Sequence, residues 1–145
     1  MGSWGVGPFD EDTAADFADG LDDVALEERE PIVRGALERA VRAVGPLGYS
    51  AASEALAAAA IVVAQCPGGA PVPANYGPRE PIPQLPYELR GLALVAIDRV
   101  LDPASELAEA WDETEHARRW RQGVGRLRDV LDPPVSAGQG SLFEL

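Results

Sequence analysis

Four aspartates, Asp12, Asp16, Asp19 and Asp23, stand four, three and four residues apart. That spacing puts them on one face of a single helix. Carboxylates gathered this way either hold a cation or present a field to a basic partner. The calcium loop fails on its own spacing. Counted from Asp10, the fifth position is Ala14, the sixth is Ala15 where a glycine must make the turn, and the twelfth is Leu21 where a bidentate acid must close the shell. A solvated face and a surface for a basic partner remain, and like charges at this spacing oppose the helix by roughly 0.2–0.5 kcal/mol per pair.

Glu113-x-x-His116 is half of a helical di-iron carboxylate signature. A complete site needs a second such motif and two further glutamates. His116 is the only histidine and Cys66 the only cysteine, so neither that centre nor a tetrahedral zinc site can be filled. Trp111, Asp112, Glu113 and His116 still gather acids beside the sole imidazole, and an enzyme built on this chain would have its site there. Cys66 closes an apolar run before Pro67-Gly68-Gly69 and reads as a small buried hydrophobe, since nothing in the sequence brings it an activating base. There is no Gly-x-Ser-x-Gly elbow, phosphate loop or dinucleotide fingerprint. No catalytic, cofactor-binding or metal-ligating residue is assigned, and no cofactor is expected.

The sharpest motif lies near the end. Gln139, Gly140, Ser141, Leu142 and Phe143 resemble the pentapeptide by which bacterial replication and repair proteins dock the sliding DNA clamp. That peptide favours glutamine first, a small or acidic residue third, then Leu-Phe. Gly140 departs from it, leucine being common there. A tether that presents one amide and two apolar anchors suits a preformed pocket on a partner. A sticky tail without function is the plain alternative.

A second resemblance runs through the body. The opening, Gly2-x-Trp4-Gly5-x-Gly7-Pro8-Phe9-Asp10-x-Asp12-x-Ala14-x-Asp16-Phe17, resembles the start of the bacterial Domain of Unknown Function family 4259. The likeness continues through Tyr76, Gly77 and Pro78 and through Trp111, Asp112, Glu113 and Thr114, to about Leu131. It implies a shared fold and carries over no catalytic residue.

The elements that must position these groups follow from length and pattern. At 145 residues the chain is one domain, able to bury roughly 68–70% of its unfolded surface without a disulfide or metal. One cysteine suits a reducing cytoplasm. No basic and apolar leader opens the chain, and Val6 breaks the myristoylation pattern. The run Ala55–Ala64 is too short to span a membrane. A net charge of −12 argues against direct nucleic-acid binding and suits a basic protein partner. All twelve basic residues are arginines, which reads as a GC-rich genome rather than a site.

Apolar spacing predicts an all-α fold of about six helices in a domain over residues 1–132, with a flexible tail over 133–145. Trp4 and Phe9 should pack an extended N-terminal arm onto the body. Asp10 should cap a first helix with Ala14, Phe17, Ala18, Leu21 and Val24 inward. A second helix should start at Pro31 and bury a stripe from Ile32 to Val44. Ser50 should cap a third, the most buried, carrying the alanine run. Seven prolines and three glycines over 66–86 should make an extended crossover packed through Tyr76, Ile82 and Leu85. Further helices should span about Tyr87 to Leu101, a short stretch with Leu107, Ala108 and Trp111 inward, and about Glu115 to Leu131. Residues 1–30 hold ten acids and one arginine, while the last helix is rich in arginine, so the two segments could face each other within the fold, between copies, or not at all. The reading is a small cytoplasmic interaction protein, with the enzyme near Trp111–His116 as its rival.

Overall fold

The computed structural model describes residues 5–73 and 77–132. It is all-α, with six helices among the described residues: α1 (Asp12–Asp22), α2 (Leu26–Arg42), α3 (Tyr49–Ala64), α4 (Glu88–Leu101), α5 (Glu106–Asp112) and α6 (Ala117–Leu131). The helix α3 is central and packs against each of the other five. Its unbroken run from Ala55 to Val63 is buried, and the alanines let neighbouring backbones come close. The other helices turn one apolar stripe inward, as at Ala14, Phe17, Ala18 and Leu21 on α1.

The first turn of α1 differs from the expectation in one residue. Glu11 is the cap. Its backbone is extended, and its carboxylate accepts from the amides of Thr13 at 3.1 Å and Ala14 at 2.6 Å. Asp10 turns back instead and accepts from the amide of Gly7 at 3.0 Å, which curls the arm. A Cβ on Gly7 would stand 2.8 Å from that same carboxylate oxygen, so any larger residue would push the Asp10 side chain out of this position. Phe9 is buried, as expected. Trp4 lies outside the described residues.

The second helix begins at Leu26, and Pro31 sits inside it. Residues 26–30 carry no apolar stripe, which is why the start was hidden. They are anchored by Arg29, whose side chain is buried. Val44 is not inward: α2 stops at Arg42 and Val44 is 97% exposed. Ser50 does not cap α3. Gly48 holds the cap position, and the Tyr49 amide donates to Glu106 Oε1 at 3.1 Å. The same corner is tied by Leu47, whose amide donates to the Ala104 carbonyl while its own carbonyl accepts from Glu106. Trp111 is half-buried, stacked on the buried Trp120 with centroids 5.9 Å apart and planes at 12°.

The described part of the proline crossover is stapled by three side chains. Asp22 accepts from the amides of Arg79 and Glu80 at 2.9–3.1 Å. Arg29 donates to the Pro81 carbonyl. The Gln65 amide donates to the Pro83 carbonyl at 3.0 Å and accepts from the Leu85 amide at 2.8 Å. Prolines supply no amide donor and interrupt any regular ladder, so the segment's remaining amides and its carbonyls depend on such side-chain partners. Ile82 and Leu85 pack on the core, and Tyr76 lies outside the described residues.

Candidate functional site

Asp12, Asp16, Asp19 and Asp23 all lie exposed on the outer face of the first helix and its cap. Among the described residues none of the four has a side-chain hydrogen bond or ion pair. The structure therefore brings together the four acids that the spacing grouped. Among the described residues no group of three histidine, cysteine or acidic side chains is placed to hold a metal.

What makes this face unusual is the arginine beside it in sequence. Arg29 is the single cation of the first thirty residues, and it points inward. Its Nε donates to the Leu21 carbonyl at 2.9 Å, its Nη2 to that of Val24 at 2.8 Å and its Nη1 to that of Pro81 at 2.7 Å. All three acceptors are main-chain oxygens. The guanidinium closes the C-terminal end of α1, where helix carbonyls lack partners and a cation is favoured. It neutralises none of the outer carboxylates. Sequence reasoning missed it because a charged residue is expected outside; the signal was its isolation between two acidic stretches.

The arginines of α6 do not answer the acidic face within the described chain. Arg121 pairs with Asp112 through two parallel bonds of 3.0 and 2.8 Å, and Arg128 pairs with Asp98 at 2.7 Å and Asp132 at 3.7 Å. Arg118, Arg119 and Arg126 have no ion pair among the described residues.

Around Trp111 the geometry is that of a surface. The hydrogen bond from Arg121 holds the Asp112 carboxyl below its ordinary range, and Asp112 in turn raises the guanidinium. Glu113 and Glu115 are exposed. His116 is half exposed at the start of α6, its Nε2 3.7 Å from Glu115 Oε2, and its amide donates to Thr114 Oγ1 at 3.1 Å. Among the described residues no pair of buried acids stands beside it. Cys66 is a buried free thiol that donates to the Val62 carbonyl at 3.4 Å.

A second feature was not legible in the sequence. A groove of about 540 Å³ opens between the arm at Val6–Phe9, the buried helix α3 at Leu56, Ala60 and Val63, the crossover at Gly68–Pro73, and α6 at Val124, Leu127 and Val130. Its lining is mostly apolar, with Arg126 and Asp129 at the edge. The turn into its crossover wall requires glycine, because a Cβ on Gly69 would lie 1.7 Å from the Val63 carbonyl oxygen. The arm and the proline stretch each stood out in the sequence, but nothing there placed one across from the other. Gln139, Leu142 and Phe143, the other candidate contacts, lie outside the described residues.

A family model described as Domain of unknown function (DUF4259) matches residues 2–123. No curated protein and no solved structure matches the chain.

Proposed function

The chain belongs to the DUF4259 family, and from that premise we propose that it is a non-enzymatic interaction module that presents the outer face of α1 to a basic protein partner. The observation that carries this reading is the orientation of Arg29. With the only cation of residues 1–30 turned inward onto carbonyls, Asp12, Asp16, Asp19 and Asp23 form a field with no compensating charge from their own segment. Such a field steers a basic surface and raises its association rate, and salt screens it within about 10 Å at 0.1 M. The enzyme reading draws no comparable support, because Asp112 is committed to Arg121 and the neighbouring acids face solvent.

The tail supplies a second contact in this proposal. Gln139, Leu142 and Phe143 carry the pattern that suits the sliding clamp, and a peptide that orders on binding reaches modest micromolar affinity, about −8 kcal/mol. Fluorescence anisotropy of a labelled 134–145 peptide against the clamp of the source organism tests it. Saturable binding lost on Leu142→Ala with Phe143→Ala is the expected result, and no binding removes the clamp. For the acidic face, surface plasmon resonance with a captured basic partner should show an association rate that falls with salt and falls again in Asp16→Asn/Asp19→Asn. A rate indifferent to both would sink the reading.

A further inference from the structure

Among the described residues no element covers the face of α2 turned away from the core, and the charge on that face is arranged to suit a second copy of the chain. Val33, Ala36, Leu37 and Ala40 are buried on the inner side. At 3.6 residues per turn the opposite side is formed by Glu28, Pro31, Gly35, Glu38 and Arg42. None of these five is buried. We propose that two copies of the chain pair through this face, their α2 helices antiparallel and crossing on a two-fold axis at Gly35.

Charge selects the occupant. The chain carries −12, so two copies repel one another over most of their surface. The helix α2 is neutral, with four glutamates and four arginines, and repulsion is least there. The charges of its outer face are also segregated. Glu28 stands seven residues before Gly35 and Arg42 seven residues after it, about 10 Å to either side at the helical rise. A two-fold axis at Gly35 sets Glu28 level with Arg42 of the partner subunit, and Arg42 level with the partner's Glu28. The contact is isologous, so the favourable pair occurs twice. Both groups are open to it. Glu28 has no ion pair among the described residues, and Arg42, its side chain 76% exposed, reaches Glu38 only at 3.8 Å. A surface of one charge sign would meet one end of this face well and the other badly. An antiparallel copy answers both ends, and complementarity of this kind fixes register.

Gly35 fits the crossing point. Glycine weakens a helix interior, and the body of the protein does not require it here. A Cβ would meet only the end of the Arg39 side chain, at 3.5 Å, an ordinary contact. At a crossing, the missing side chain lets two helix axes approach to about 8 Å. Tyr87, 77% exposed, adds apolar surface near this level of α2, since its neighbour Glu88 bonds Arg34 at 2.9 Å. The paired face belongs to a different helix from the acidic one, and the proposal does not rest on that reading.

Sedimentation equilibrium of the full chain tests it, and a monomer–dimer equilibrium is the expected result. Glu28→Arg sets two arginines against each other twice and should weaken the dimer about tenfold or more. Arg42→Glu does the same with glutamates. An equal mixture of the two variants should dimerise again, because the introduced charges meet each other and the native Arg42 meets the native Glu28. Recovery in the mixture also shows that both variants are folded. Gly35→Cys leaves every charge in place and should cross-link to its own copy under mild oxidation, since the two-fold axis brings the two thiols together. Cys66 is buried and does not compete. A chain that stays monomeric at millimolar concentration, charge variants that dimerise as the unaltered chain does, or a Gly35→Cys chain that forms no cross-link would each overturn the proposal.

Discussion

Arg29 Nη1 donates to the Pro81 carbonyl oxygen at 2.7 Å, joining positions 52 residues apart. With its other two bonds to Leu21 and Val24, this one side chain fixes the end of α1, the start of α2 and the middle of the crossover to one another. It also removes the local cation from the acidic surface. The fold and the proposed interface are coupled through the same residue.

Replacing Arg29 should therefore destabilise the protein. Arg29→Met leaves three carbonyls without their charged donor, and we expect a loss of about 3 kcal/mol in urea unfolding. Arg29→Lys should recover only part of it, because an ammonium lacks the planar fork that reaches three separate oxygens. Full stability in Arg29→Lys would show that charge alone matters there.

Two glycines should behave oppositely. Gly69→Ala forces a Cβ into the Val63 carbonyl and should cost about 2–3 kcal/mol, as overpacking does. Gly91→Ala, within α4, meets no atom within 4 Å and should stabilise by about 0.5–1 kcal/mol. Thermal unfolding of the two variants side by side checks the pair, and a neutral Gly69→Ala would contradict the geometry of the turn.

The Asp112–Arg121 pair predicts a pH dependence with a definite sign. The hydrogen bond from Arg121 lowers the Asp112 pKa below the ordinary 3.8. The pair's contribution is thus present at and above the usual carboxylate range and is lost as pH falls through the lowered value. Carboxyl-carbon NMR should show Asp112 titrating below 3.8, and Arg121→Gln should move its midpoint upward. An unmoved midpoint would show that the pair is not formed in solution.

The family, the all-α class and the buried stripes of the helices were legible in the sequence, because apolar spacing at Ala14, Phe17, Ala18 and Leu21 or along α3 speaks directly of a helix face. Three of the errors have one physical kind. The start of α2, the cap of α1 and the cap of α3 are set by Arg29, Glu11 and Glu106, polar side chains acting on backbone groups, and two of these three act across distant segments. Val44 was misplaced because a stripe continued past the point where the helix itself stops at Arg42. The acidic face was legible because its four members share one local helix frame. The groove was not, since its walls come from four separate parts of the chain.

The most direct test of the interaction module is a quantitative comparison of partners captured from the source organism by the unaltered chain and by the Asp12→Asn/Asp16→Asn/Asp19→Asn/Asp23→Asn variant, with matched melting temperatures established first. The account predicts that one or a few basic proteins are lost with the variant, and that their capture by the unaltered chain weakens as salt rises. An identical set of bound proteins from both chains would contradict it.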